Sequence, residues 1–195
     1  MVDSRPSSTS ARNRLLRAAA TVWGADPSAS LDSVARAAGV GRATLHRYFT
    51  SRTELMQSAA LDGIAALADA LEHAGCFRLD AAPALQAMVD VLVPFGDRLH
   101  FLLVCGDLMG DPAVAAAESE VDARLHRVLD IAVADGLLRA DVPRAWRFRA
   151  IEALIYSAWT AVAAGELARL DAPALVHSTL LRGLGPPSLA VRGTR

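Results

Sequence analysis

The sequence predicts an all-α protein, a three-helix N-terminal module followed by a larger helical domain. Three observations carry that expectation. Hydrophobic residues fill 53% of the 195 positions and alanine is abundant, so good helix formers dominate. Apolar residues recur at spacings of three and four, whereas the alternation of a half-buried strand is scarce. The segment from Ser30 to Leu55, SLDSVARAAGVGRATLHRYFTSRTEL, divides into two short amphipathic runs around Gly39-Val40-Gly41. About 130 residues remain beyond it, enough for a second core.

Taken in order, the polar start MVDSRPSSTSAR reads as a flexible arm over residues 1–9, with no apolar signal core. A first helix is expected from about Ala11 to Trp23. Ser30 is a good N-cap for a short second helix, with Leu31, Val34, Ala35 and Ala38 on one face. Gly39 can take the positive φ that closes it, and Gly41 permits a new start three residues after the last helix ends. On the third helix Leu45 and Phe49 form the buried stripe, which turns Ala43, Thr44 and Arg47 outward with His46 and Tyr48 on the flanks. Ser51-Arg52-Thr53-Glu54 has the spacing of a capping box, so a long helix is expected from Arg52 to about Glu72, with Leu55, Ala59, Leu67 and Leu71 buried. Breaks at Gly75, Pro83, Pro94, Gly110 to Pro112, Gly136, Pro143, Asp171 to Pro173 and Gly183 to Pro187 place later helices at about 84–97, 98–109, 112–135, 144–167 and 173–184. The expected domains are 10–55 and 56–184, with a flexible tail over 185–195.

Two tightly joined helices with a basic, hydroxyl-rich outer face are suited to a DNA major groove. Arg offers a bidentate fork to guanine, a small Ala can touch a thymine methyl, and Thr, Tyr and His can donate to phosphates or base edges. The candidate DNA contacts are Arg42, Ala43, Thr44, His46, Arg47 and Tyr48, with Arg52 meeting a phosphate at a helix N-terminus. Charge is partitioned accordingly. Residues 1–55 hold eight Arg against four acids, and residues 56–195 hold twelve Arg against seventeen. Because phosphate neutralisation dominates DNA affinity, a basic module on a mildly acidic body suits a DNA-binding regulator.

The run Val34-Ala35-x-x-Ala38-Gly39-Val40-x-x-x-Thr44-Leu45-x-Arg47-Tyr48-Phe49-x-x-Arg52-x-x-Leu55 resembles the DNA-binding domain of TetR-type repressors. Gly41 departs from the Ser-like cap common there, and His46 from a frequent Tyr. The resemblance implies a C-terminal helical domain for ligand binding and dimerisation. It implies that the two last helices pair with their copies in a homodimer, here through Ile151, Leu154, Ile155, Ala158, Val162, Leu175, Leu180 and Leu184. It also implies a cavity for a small hydrophobic or aromatic ligand. Met88, Leu92, Phe95, Phe101, Cys105, Met109, Tyr156 and Trp159 are the candidate lining, with His100, His126 and Glu152 as polar groups that could orient a ligand or lie on a solvated face. The expected partners are double-stranded DNA, that ligand and a second copy. A dimer would read two half-sites about 34–36 Å apart in a pseudo-palindromic operator, and ligand would release it. A regulator of the same kind controlled by a protein partner is the alternative.

The chain carries no Gly-rich phosphate loop, no G-x-S-x-G elbow, no H-E-x-x-H and no paired cysteines for zinc, so neither an enzyme nor a cofactor is expected. A helical enzyme using the interior pocket is a remote alternative. The nearest constellation is His100, Cys105 and Asp107, but five residues put Cys105 off the face of His100. With no run of eighteen apolar residues, no membrane is expected as a partner, and the reading is cytoplasmic.

Overall fold

The computed structural model describes residues 8–105 and 110–186. Among these residues the secondary structure is entirely helical: α1 (Ser8–Ala25), α2 (Leu31–Ala37), α3 (Arg42–Tyr48), α4 (Arg52–His73), α5 (Ala81–Leu92), α6 (Gly96–Val104), α7 (Pro112–Ala134), α8 (Arg144–Ala163) and α9 (Ala172–Leu184). None of the helices is long and apolar enough to cross a membrane. The helix α1 begins two residues inside the expected arm. Residues 1–7, Met109 and the tail from Pro187 lie outside the described residues.

The chain forms two compact units. One takes in the described residues of Met1–Ala65 and Asp97–Glu118, the other those of Ala66–Gly96 and Ser119–Arg195. The first unit is therefore larger than the segment 10–55, because α6 and the start of α7 belong with the N-terminal helices. Its core is built from α1 residues three and four apart, Leu15, Leu16, Ala19 and Trp23, together with Val34, Leu45, Phe49, Leu55, Phe101 and Val114, all buried. Asp111 starts α7 by accepting the N–H groups of Ala113 at 2.9 Å and Val114 at 3.0 Å, and Gln57 donates to its other oxygen at 2.6 Å.

In the second unit α9 packs on α5 and α8. Leu85, Met88, Val89, Leu129, Ile151, Ile155, Val176 and Leu180 are buried there. Arg124 pairs with Glu72 and lies 3.8 Å over the Phe77 ring, tying α7 to the end of α4. Burial pushes the Cys76 thiol up to about 11, so it remains protonated, and its Sγ donates to the Ala84 carbonyl at 3.6 Å.

The expected boundaries of α5, α6 and α8 differ. Pro83 does not precede α5 but sits in its first turn, where the N–H that proline lacks has no helical partner anyway. The helix α6 ends at Val104, and α8 closes at Ala163, before Gly165 with φ of +76°.

Candidate nucleic-acid interface

The helix-turn-helix is built by local rules. Ser30 Oγ accepts the Ser33 N–H at 3.2 Å and opens α2. At the other end, Gly39 takes φ of +64°, its N–H donates to Arg36 O at 3.1 Å, and the Val40 N–H donates to Ala35 O at 3.0 Å. That is a Schellman closure, which requires the left-handed residue that glycine supplies. Gly41 then starts α3 with no side-chain cap. Arg42 reaches back from α3 to Asp32 on α2 at 3.2 Å.

Leu45 and Phe49 are buried, with the Arg12 guanidinium 5.6 Å from the Phe49 ring centroid, and together they fix the roll of α3. Arg42, Ala43, His46 and Arg47 are then exposed, while Thr44 and Tyr48 are half-buried beside them. Arg47 stacks 5.1 Å from the Tyr48 ring centroid, which holds both on one edge of the helix. The structure thus brings six of the seven sequence-predicted DNA residues onto one short helix, four of them exposed.

Arg52 is placed differently. Its guanidinium donates to the carbonyls of Pro27 and Ala29 and lies 4.5 Å over the ring of Trp23, whose Nε1 donates to the same Ala29 oxygen at 2.9 Å. The side chain expected on a phosphate is engaged instead in holding the loop between α1 and α2. An arginine fork satisfies two carbonyls that a loop otherwise leaves unpaired. The N-terminus of α4 is closed by Ser51 Oγ, which accepts the Glu54 N–H at 3.1 Å. The Glu54 carboxylate returns to the N–H and hydroxyl of Thr50, both at 2.7 Å, one residue earlier than a standard capping box. These Thr50 donors hold the Glu54 carboxyl below its usual range.

The expected ligand set is divided between the units. Phe101 and Cys105 are buried in the first, where Phe101, Leu16, Ala20 and Ala59 border a space of about 10 Å³, room for about one water. Met88 and Leu92 are buried on α5 in the second, and Phe95 is half-buried beyond it. Trp159 lies so close to Gly96 that a β-carbon there would meet it at 2.5 Å, and Tyr156 is 44% exposed with its ring 5.9 Å from that of Trp159. Two of the polar groups singled out in the sequence do meet: His126 of α7 and Glu152 of α8 border a groove of about 420 Å³ in the second unit.

The expected dimer residues are also redistributed. Ile151, Ile155, Ala158, Leu180 and Leu184 are buried within the chain itself, which corrects their assignment to a face between subunits. Leu154 and Val162 are half-buried, and Leu175 is 51% exposed. The residues the sequence reading passed over are Asp32, Trp23 and Arg12 around the helix-turn-helix, and Asp122, Phe148 and Arg149 in the groove. The groove residues had a detectable signal, since Asp122 with His126 and Phe148 with Glu152 are each four apart and share a helix face.

A small helical unit that buries Leu45 and Phe49 and presents a basic three-to-four-residue face defines a helix-turn-helix DNA-binding protein. Residues 15–59 match the family of bacterial regulatory proteins called the tetR family. The chain is 30% identical over 154 residues to the HTH-type transcriptional repressor LfrR of Mycolicibacterium smegmatis, covering 79% of this chain and 80% of that protein. The chain belongs to the TetR family of transcriptional regulators. Its fold matches the crystal structure of the TetR-like regulator LfrR from Mycobacterium smegmatis in complex with proflavine, at a TM-score of 0.76 and 28% identity, covering 91% of this chain and 98% of that one. The TetR regulator SCO0520 from Streptomyces coelicolor matches at a TM-score of 0.60 and 25% identity, covering 90% and 98%.

Proposed function

We propose that the protein is a dimeric, ligand-responsive repressor that binds a pseudo-palindromic operator through α3 and is released by a small aromatic or apolar molecule. The observation that carries the DNA reading is the α3 face itself, with Leu45 and Phe49 locked inward and Arg42, Ala43, His46 and Arg47 outward. Arg47 reads a base edge, Thr44 and Tyr48 donate to phosphate, and Arg52 acts indirectly by fixing the loop beneath the module. Dimerisation follows from specificity, because one α3 spans too few base pairs to select a site in a genome. The face for it is the exposed stripe of α8, Trp146, Ala153 and Ser157, continued by Ala164 at its C-cap and joined by Leu175 of α9; small residues flanked by a 63% exposed Trp let two helices approach closely.

The ligand reading is carried over from the relative: LfrR is called a repressor, and one of its structures holds proflavine. Coupling is reciprocal, so a ligand that weakens operator binding is itself bound less tightly by the operator-bound form.

The test is selection of bound sequences from a random duplex pool at about 150 mM salt, where non-specific phosphate binding is suppressed. The wild-type protein enriches an inverted repeat. The Arg47→Ala variant enriches a repeat degenerate at one position in each half-site, a loss of about 1–3 kcal/mol of discrimination. Failure of purified, ligand-free protein to enrich any sequence overturns the reading.

A further inference from the structure

The geometry points to a second-unit binding site in the groove between α7 and α8, with a flat aromatic cation as its occupant, stacked on Phe148 and His126 and paired with Asp122. Its space of about 420 Å³ lies within the range of small-molecule sites. One wall is an aromatic platform: the rings of His126 and Phe148 are stacked, with centroids 4.2 Å apart and planes 27° from parallel. Burial, helped by the nearby Arg144 charge, lowers the pKa of His126, so the platform is uncharged at neutral pH and does not repel a cation.

The charges around the platform decide the sign of the ligand. Arg144 is already paired with Asp130 at 3.0 Å, and Arg149 with Glu152 at 3.4 Å. Asp122 has no hydrogen bond or ion pair among the described residues. It is exposed, and the desolvation its neighbours impose still raises its carboxyl pKa above the usual value against the pull of His126 and Arg149. An exposed carboxylate that makes no hydrogen bond or ion pair among the described residues, four residues from the ring it accompanies, leaves the groove with an unpaired negative charge. An anionic ligand would meet two arginines whose charges are already balanced and one carboxylate whose charge is not. Helical geometry also keeps this site clear of the dimer stripe. At 100° per residue, Phe148 and Glu152 lie more than 90° around α8 from Trp146, Ala153 and Ser157.

This inference rests on the reading above only in treating the occupant as an effector. The probe is proflavine, followed by its fluorescence on titration with the full chain. Saturable binding to the wild type is expected, with Asp122→Asn weakening it about tenfold, the scale of a lost charge-assisted bond, and Phe148→Leu weakening it comparably. Glu152→Gln, on the exposed wall, serves if either variant fails to fold. Absence of binding to the wild type overturns the site, as does binding unchanged by all of the folded variants, which would put the dye elsewhere. The duplex selection is repeated on Asp122→Asn: an inverted repeat enriched there, alongside a failed dye titration, removes the groove and leaves the DNA reading standing.

Discussion

Arg52 shows how one side chain can be committed within the chain, to the loop beneath the helix-turn-helix. Its fork on the Pro27 and Ala29 carbonyls and its contact with the Trp23 ring close the loop that joins α1 to α2. Removing the guanidinium leaves the Pro27 carbonyl without its donor, the Ala29 carbonyl with Trp23 alone, and an indole face uncovered. Arg52→Ala therefore costs about 1–3 kcal/mol of stability, read as a lower denaturation midpoint, and weakens binding to all duplexes alike. Arg52→Lys recovers little, because an ammonium cannot bridge both carbonyls in one plane. A variant with wild-type stability and an altered base preference would instead make Arg52 a direct reader. Sequence reasoning gave this residue to a phosphate because the start of a helix attracts anions; nothing local reports that a loop 23 residues upstream has already claimed the side chain.

At the scale of the element, the turn between α2 and α3 depends on the left-handed conformation of Gly39. A β-carbon built there meets nothing within 4 Å, so substitution is penalised by backbone conformation alone. Gly39→Ala is expected to cost about 1–2 kcal/mol, measured by chemical denaturation, and Gly39→Asn less, since asparagine tolerates that conformation; equal losses would show that crowding decides. The helix-turn-helix was legible because its determinants are local: a cap, a glycine, and two apolar residues four apart. The start of α5 was misread because proline was taken as a break, when a first turn accommodates it. In α8 the periodicity correctly joined Ile151, Ile155 and Ala158 on one face, but period alone does not say whether that face meets its own core or another subunit. The burial of those residues answers it for the core. His126 and Glu152 were picked out singly; their meeting depends on the register of α7 against α8, which no local pattern encodes.

For the whole molecule, specificity depends on assembly. If the stripe through Ala153 and Ser157 joins two copies, a long charge at its centre must be buried unpaired against its own symmetry mate. Ala153→Arg is expected to sediment as a monomer, to keep its helical content, and to lose operator affinity while retaining weak non-specific binding. A dimer that persists would move the interface to another face. The family and the all-helical architecture were readable from a quarter of the chain, whereas the division into units was not, because α6 joins the N-terminal helices across the intervening residues 66–96, which belong to the other unit.

The pair between Arg42 and Asp32 has a thermodynamic corollary. The ions released when a duplex is bound come from its phosphates, and a phosphate that recruits Arg42 must first displace Asp32, whose freed carboxylate would take up a cation in turn. If Arg42 meets a phosphate, the outward face of α3 exchanges one internal counter-charge for an external one at this position. The number of ions liberated on binding a duplex is then expected to be smaller than the module's roster of arginines, and the affinity less sensitive to ionic strength than the basic composition of the N-terminal segment would imply.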